Sequence, residues 1–550
     1  MMFLRNAVLL AVVAVFTLTT SRPLFAHGEE KHVDESLPPL ILGVLDFPNS
    51  GAAGAQDAFS RGVMLLHSFE FTDARSAFLE AQALDPGFVM AIWGEAMTLN
   101  HPLWMQQDRE EALAVLAKLG PREDLQITER ERRYLGAIDT LYGEGSKEQR
   151  DTAYRDAMRS LYEDYPDDLE AASFYGLSIL GSVYERDFRT YMKAASILEE
   201  VFAKQPKHPG AAHYLIHSYD DQIHAPLGLR AAHAYNQIAP SASHAQHMVS
   251  HIYTSLGMWD EVITANQNAV RVSEDSLRRA GKSIANRNKH SLSWLQYALL
   301  QQGRFGEARD TMITMRDDLA AEQSGGNLAH NVLMRSAYIA EDPLVEQILE
   351  PADLSDFPLD MHAIDAFASG FRYVTLNDLE SAKFELASLQ EKISNAKVLS
   401  VAEGLHEDDS ATSEDGYNIA TIFARELQAL IYFRQGDVDT ALQLLADAAE
   451  DENARPLEYG PPYISKPCSE LLGEMLLTLG RPGEAIAHFE TALERNTGRT
   501  MSLLGLARAQ EAVADPASKE TWQTLAGNWK ADMAKLQQTD YAWLSTGETS

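Results

Sequence analysis

The stretch GVMLLHSFEFTDARSAFLEAQALDP, residues 62–86, decides the fold. In it Ala74 follows Gly62 by 12 positions, Phe78 comes four positions later, and Ala81 comes three positions after that. The same offsets recur further along the chain, fully in one place and more weakly in another: Gly473, Ala485, Phe489 and Ala492, then Ala429, Ala441, Leu445 and Ala448. Apolar residues between these positions recur every three or four residues, which predicts pairs of amphipathic helices.

A unit of 34 residues with small and aromatic residues at these offsets resembles the tetratricopeptide repeat (TPR) family. The resemblance covers most of residues 50–515, and the units are clearest near residues 55–88, 175–208, 243–276, 289–322, 422–455 and 466–499. It implies an all-α fold, a right-handed α-solenoid of TPR-like helical hairpins whose first helices line a concave groove. Because TPR arrays mostly serve as binding surfaces, it also implies a protein or peptide partner in that groove.

Composition limits the functions open to the chain. It carries 46 Lys and Arg against 80 Asp and Glu, a formal charge of −34. Nucleic acid and anionic membrane surfaces are therefore excluded as general partners, because both repel an acidic body. An apolar fraction of 45% is enough for a buried core. A single Cys excludes a disulfide framework within the chain and any thiolate-rich metal site.

The first 26 residues have the pattern of a secretory signal peptide. Arg5 gives a positive start, and the apolar run 7–19 is too short for a hydrocarbon core, which needs about 20 residues. We predict cleavage after Ala26, a flexible leader over residues 27–50, and no membrane span. The mature chain is therefore expected to be exported. With one Cys, the bacterial periplasm fits better than a disulfide-rich extracellular setting, and secretion is the alternative.

The repeat register divides the rest of the chain. We predict an N-terminal TPR-like array with a histidine-rich groove over residues 51–322 and a C-terminal TPR-like array over residues 361–535. Residues 323–360 begin near a glycine pair and hold three prolines, so they are predicted to form an irregular connection. Residues 536–550 are predicted to be a tail.

The histidines are concentrated in one part of the chain, since nine of the 17 lie between residues 208 and 290. His213 and His217 are four positions apart, as are His247 and His251, and residues so spaced lie on one face of a helix. Each member of the first pair is 34 positions, one repeat, from the corresponding member of the second. Stacked repeats are therefore expected to set the two pairs side by side.

Two imidazoles four positions apart on a helix can chelate one metal ion, so we predict a metal site in the groove. The predicted ligands are the two pairs, His213, His217, His247 and His251. Further ligands or supporting residues are expected among His244, His290, Asp220, Asp221 and another pair one repeat apart, His67 and His101. Ligation by nitrogen and oxygen without thiolate suits Zn, Cu(II) or non-haem Fe.

Other interpretations of the histidines stay open. They can line a metal-free polar groove that binds a peptide, or pack between helices as structural residues. Four aromatic residues are expected to form a wall that contacts a partner: Trp93, Trp104, Trp294 and Tyr297. The alternative is that they belong to the core, as aromatic residues in TPR packing commonly do. The chain is then either an exported TPR scaffold whose groove binds a partner and can hold a metal ion, or a metal-dependent enzyme or metal-binding protein. No catalytic residue can be named from the sequence.

Three motifs resemble those of a bacterial family of exported TPR proteins. They are HPLW at residues 101–104, AHYLIHSYDD at residues 212–221 and HxxHMxSHI at residues 244–252. The resemblance implies that the three motifs form one constellation. It implies no particular reaction.

Overall fold

Helices account for almost all of the regular structure. The computed structural model describes residues 39–184, 187–343, 353–399, 411–457, 459–538 and 544, and the predicted signal peptide lies outside them. Among these residues the strands are limited to two short pairs: β1 (Asn100–His101) antiparallel to β2 (Gln106–Gln107), and β3 (Lys397–Leu399) parallel to β4 (Ala411–Ser413). The all-α prediction is confirmed.

Consecutive helices pack as hairpins, and the first helix of a hairpin commonly contacts the first helix of the next. The hairpins are α1 (Gln56–His67) with α2 (Phe71–Leu84), α3 (Val89–Met97) with α4 (Arg109–Ala117), α5 (Glu129–Leu141) with α6 (Lys147–Asp164), α7 (Leu169–Leu180) with α8 (Phe188–Lys204), α9 (Pro209–Ser218) with α10 (Ala225–Ile238), α11 (Ser243–Ser255) with α12 (Trp259–Arg279), and α13 (Lys289–Gln301) with α14 (Phe305–Ala321).

The later helices continue this pattern. They are α15 (Gly325–Glu341), α16 (Leu359–Thr375) with α17 (Leu379–Asn395), α18 (Glu414–Arg434) with α19 (Val438–Ala454), α20 (Cys468–Thr478) with α21 (Pro482–Arg495), α22 (Thr500–Ala512) with α23 (Ser518–Asn528), and α24 (Met533–Gln538). In the part of the chain that the structure describes, no helix is both long enough and apolar enough to cross a membrane.

A phenylalanine clamped between two glycines explains the small and aromatic residues of the repeat. A Cβ atom added to Gly62 on α1 would lie 2.7 Å from the ring of Phe78, and one added to Gly94 on α3 would lie 2.3 Å from it. The ring therefore fills the space between two successive first helices, and only glycine leaves room for it. The C-terminal repeats use the same arrangement: Gly473, Phe489 and Gly505.

The segment predicted to be an irregular connection is partly helical. Residues 325–341 form α15, which begins after Ser324, whose side-chain oxygen accepts a hydrogen bond from the backbone N–H of Asn327 at 3.1 Å. The glycine pair that suggested a break lies in the first turn of this helix, where the serine cap offsets its low helix propensity. Residues 344–352, which hold one of the three prolines, lie outside the described residues.

Segments far apart in sequence also touch, and these contacts join the C-terminal repeats to the histidine-rich part of the chain. The indole N–H of Trp259 donates to the carbonyl of Gly498 at 3.2 Å. Gly460, with φ of +87°, packs so closely on Trp294 that an added Cβ would lie 2.0 Å from the indole ring. The two predicted arrays are therefore in direct contact.

Buried charges link α20, α22 and α15 in the C-terminal half. The Arg499 side chain is fully buried and lies 2.7 Å from Glu470 and 2.7 Å from Glu341. Lys466 lies 2.9 Å from Glu470 and 2.7 Å from Glu474. Each cation thus faces two carboxylates, as a charge removed from water requires.

Glu426 on α18 is a fully buried carboxyl close to this network. Neither of its oxygens has a hydrogen-bond partner among the described residues. Burial raises the pKa of Glu426 well above its ordinary value, and the nearby Glu452 raises it further. Burial therefore favours the uncharged form of Glu426 in the folded protein.

Replacing Gly94 with Ala is expected to lower the free energy of unfolding by about 1–3 kcal/mol, because the new methyl group would overlap the Phe78 ring. Urea unfolding followed by circular dichroism measures the change. Gly136→Ala, in α5, is the matched control, since nothing lies within 4 Å of its added Cβ. That control should raise stability by roughly 0.5–1 kcal/mol through helix propensity. Equal effects of the two substitutions would contradict the clamp.

Glu426→Gln is expected to flatten the dependence of stability on pH. Above pH 4.5 the unfolded chain releases a proton that folded Glu426 keeps, so the wild-type free energy of unfolding falls as pH rises towards the raised pKa. The slope from this group is at most about 1.4 kcal/mol per pH unit. Urea midpoints at pH 5, 6 and 7 measure it. The stability of the variant relative to the wild type should increase at each step in pH. Parallel plots of stability against pH for the two proteins would show that Glu426 is ionised in the fold.

Candidate metal centre

Three first helices, α9, α11 and α13, carry the histidine-rich motifs. The start of α9 is set by His208, whose Nδ1 accepts a hydrogen bond from the backbone N–H of Ala211 at 3.1 Å, and by Pro209 at the first helical position, where no N–H is needed. The start of α13 is set by Asn288, which accepts from the N–H of Ser291 at 2.9 Å. These caps fix where the histidines fall on each helix.

Six imidazoles meet where these helices adjoin, and they form two groups of three. In each group one possible ligand atom from every member lies within 4.8 Å of those of the others. The first triad is His213, His217 and His244, and the second triad is His247, His251 and His290. Each triad combines side chains from two neighbouring helices.

His213 is the centre of the first triad. Its Nδ1 lies 2.6 Å from the backbone carbonyl oxygen of His67, and because a carbonyl can only accept, this nitrogen carries the proton. The Nε2 of the neutral ring then presents a lone pair. The Nε2 of His217 lies 3.1 Å from it, and the Nε2 of His244 lies 3.2 Å from it.

In the second triad, two imidazoles donate hydrogen bonds through Nδ1. The Nδ1 of His247 donates to Oδ1 of Asn266 at 2.7 Å, and the Asn266 amide donates in turn to the Val262 carbonyl, which fixes its orientation. The Nδ1 of His251 donates to Oδ2 of Asp220 at 2.6 Å. The Nε2 atoms of His247 and His251 lie only 3.1 Å apart, and in the neutral rings both carry lone pairs.

The surroundings disfavour protonation of the central rings. Burial lowers the pKa of His213 well below its ordinary value of 6.5, and the neighbouring His217 lowers it further. The pKa of His247 is lowered in the same way, first by burial and then by His251. At pH 7 these two rings are therefore neutral and able to act as ligands.

The nitrogen positions fit the ligand shell of a transition metal. An ion about 2.0–2.1 Å from each nitrogen holds two ligand atoms about 2.9 Å apart at a right angle and about 3.3 Å apart in a tetrahedron. The closest nitrogen pairs of the two triads, at 3.1 and 3.2 Å, fall between these limits. A metal-bound imidazole usually donates a hydrogen bond from its other ring nitrogen to an acceptor. The Nδ1 atoms of His213, His247 and His251 each have such an acceptor.

The structure divides the predicted set of four ligands between the two triads. His213 and His217 are joined by His244, and His247 and His251 are joined by His290. His244 precedes His247 by about one helical turn, so α11 contributes to both groups. Two residues predicted as further ligands thus complete the triads.

Comparison with known proteins agrees with the helical hairpins. The family model for the tetratricopeptide repeat matches residues 423–447, on α18 and α19. The chain therefore contains a tetratricopeptide repeat at these residues. No curated protein matches its sequence significantly.

Solved structures of TPR proteins match this chain at low identity. The crystal structure of the P58(IPK) TPR domain is 13% identical, with a TM-score of 0.23, and the match covers 84% of this chain and 99% of that one. The crystal structure of yeast Tom70 is 13% identical, with a TM-score of 0.27, and the match covers 88% of this chain and 87% of that one.

His67 belongs to a third group, with Glu170 and His208, that is closed by its own hydrogen bonds. The Nε2 of His67 donates to Glu170 at 2.7 Å, and the Nε2 of His208 donates to the other carboxylate oxygen at 3.0 Å. The Nδ1 of His67 accepts from the Tyr214 hydroxyl at 2.9 Å. With every ring nitrogen paired, this group holds the His67 carbonyl in place for His213.

The other predicted ligands lie outside the two triads. His101, in β1, stacks on Phe71 with ring centroids 4.0 Å apart. Asp221 accepts from Nδ1 of His224 at 2.8 Å and from backbone N–H groups of the same turn. Asp220 contacts the second triad through His251.

The four aromatic residues predicted as a partner wall differ in how far they are buried. Trp93 is buried in the core, 1% exposed, against Tyr134, so no partner reaches it. Trp294 is 3% exposed and packs on His251 with ring centroids 4.4 Å apart, and Tyr297 is 4% exposed. Trp104 is 49% exposed and is the one of the four that a partner can contact.

The sequence did not indicate several residues that support the triads. Asn266 orients His247 from α12, and Glu170 organises the third group from α7. Phe69 lies against His213 with ring centroids 4.4 Å apart and has φ of +54°, which is strained for a bulky residue. A single sequence marks none of them, because each contacts a histidine that another helix carries.

Glu170→Gln is expected to lower the free energy of unfolding by about 1–3 kcal/mol. The amide replaces one acceptor with a donor, so one buried imidazole N–H then faces an N–H₂ group. Urea unfolding measures the loss. Glu163→Gln, at an exposed position of α6, is the control and should change stability by less than about 0.5 kcal/mol. If Glu170→Gln is as mild as its control, the third group does not hold this part of the fold together.

Proposed function

We propose that this protein is an exported TPR protein whose groove holds transition-metal ions on the two histidine triads. The observation that carries the proposal is the 3.1 Å separation of the Nε2 atoms of His247 and His251. Both Nδ1 atoms are committed as donors, so two lone pairs face each other there.

Two lone pairs at this distance repel unless a cation lies between them. The cation is either a proton or a metal ion. Burial and the neighbouring ring lower the pKa of His247, which disfavours its protonation. A metal ion bound to both nitrogens needs no added proton and fits the distance between them.

The ligand type narrows the choice of ion. Imidazole nitrogens suit Zn, Cu and Fe, whereas Mg, Ca and Mn prefer oxygen ligands. The common non-haem iron site adds a carboxylate to two histidines, and Asp220 instead binds the far nitrogen of His251. Cu and Zn are therefore proposed ahead of Fe. A bound ion of this kind would supply Lewis-acid chemistry, and for Cu also electron transfer.

Partner binding at the same groove is the second proposed function. The fold is one that commonly serves as a protein-interaction scaffold. Trp104 is exposed, and its ring lies 5.5 Å from Phe69 and 6.1 Å from His244. A peptide that covers this indole would lie beside the first triad. The charge of −34 favours a basic or neutral partner.

Location in the periplasm or outside the cell is proposed from the N-terminal sequence. The apolar run after Arg5 and the small residues before Ala26 support export by a cleavable signal. A protein in that compartment meets metal ions without cytosolic thiols as competitors, which suits an all-imidazole site.

Purified without a His tag, the mature protein is expected to contain Zn or Cu in near-stoichiometric amount, measured by inductively coupled plasma mass spectrometry. The double variant His247→Ala/His251→Ala should lose metal bound to the second triad, because it removes both facing nitrogens. His233→Ala, at an exposed histidine of α10, should leave the metal content unchanged. Protein that stays metal-free after incubation with Zn²⁺ and Cu²⁺ would refute metal binding and leave the partner-binding function.

A further inference from the structure

We infer that the two triads form one dinuclear metal centre, in which two ions lie close enough to share a bridging water or hydroxide. The inference rests on the proposed function and goes beyond it, because metal binding alone allows a single ion, or two ions that do not interact. Three features of the triads support it.

The first feature is the shared helix. His244 of the first triad and His247 of the second lie three residues apart on α11. Three residues of α-helix rise by about 4.5 Å, so one rigid element sets the offset between the two groups. Metal pairs that share a bridging oxygen lie about 3.5–4 Å apart, close to this offset.

The second feature is the spacing of the rings. Within the triads the ring centroids of His213 and His217 lie 4.8 Å apart, and those of His247 and His251 lie 5.0 Å apart. Between the triads the His217 and His251 rings lie 6.1 Å apart. The rings of His244 and His247 are separated by the same 6.1 Å. The gap between the groups is therefore little wider than the spacing inside each group.

The third feature is the charge and solvent around the six rings. Asp220 contacts His251 of the second triad, and Glu170 holds His67, whose carbonyl accepts from His213 of the first. A buried acid thus supports a far nitrogen in each triad, directly in the second and through His67 in the first. Two dications so close together repel, and a shared oxygen anion relieves that repulsion. His290 is exposed, so water has access to supply it.

Copper is the probe for the experiment, because Cu²⁺ is paramagnetic and a bridged pair cancels its signal. Metal-free full-length mature protein is titrated with Cu²⁺ at pH 7, bound copper is counted by mass spectrometry, and the electron paramagnetic resonance signal is integrated. We expect two Cu²⁺ per chain with most of the copper giving no signal. Acid release should restore the full signal, which excludes reduction to Cu⁺.

Variants of one triad at a time complete the test. His244→Ala weakens the first triad and His290→Ala the second, so each should bind one Cu²⁺ that is fully visible. His233→Ala should keep the silent pair. His290 is exposed, so its loss is the less disruptive change to the fold, and circular dichroism checks both variants.

The outcomes separate the two proposals. Two bound Cu²⁺ with a full signal, or one Cu²⁺ per chain in the wild type, would overturn the dinuclear centre while leaving metal binding intact. No bound copper together with no bound zinc would overturn the proposed function itself.

Discussion

Close contact between successive first helices is the constraint on which the rest of this molecule depends. Phe78 fills the space between Gly62 and Gly94, and a side chain at either glycine would force the helices apart. Stacking at this short range brings His213 of α9 within 3.2 Å of His244 of α11, and His290 of α13 beside His247 with ring centroids 4.7 Å apart. The packing that stabilises the solenoid therefore also sets the geometry of the histidine triads.

The triads are ordered by acceptors of three kinds. A backbone carbonyl, an amide and a carboxylate each accept from the Nδ1 of one ring, in His213, His247 and His251. This arrangement directs the unprotonated nitrogens towards each other, which would be unfavourable in a core built only for stability. Burying neutral histidines with facing lone pairs thus costs free energy, and a ligand that binds these nitrogens would offset that cost.

Much of the fold could be predicted because it repeats, whereas the grouping of the site could not. Offsets among Gly62, Ala74 and Phe78 recur in the C-terminal half and fix the helical hairpins. The same register marks the slots of the histidines but not which neighbour each ring faces, so His244 was predicted only as a further ligand. Asn266 acts from the second helix of its hairpin and Glu170 from a different hairpin, and nothing periodic marks either of them. Trp93 and Trp104 look alike in sequence, and only packing separates a core residue from an exposed one.

The contact between Gly460 and Trp294 has a consequence for the order of assembly. Trp294 forms a wall of the second triad, and the residue that covers it lies far downstream, just before α20. A nascent or truncated chain can hold all six imidazoles and still lack the residue that covers Trp294. The wall beside the second triad is complete only once the residues before α20 have folded against α13, so the last repeats finish a part of the molecule that the middle repeats begin.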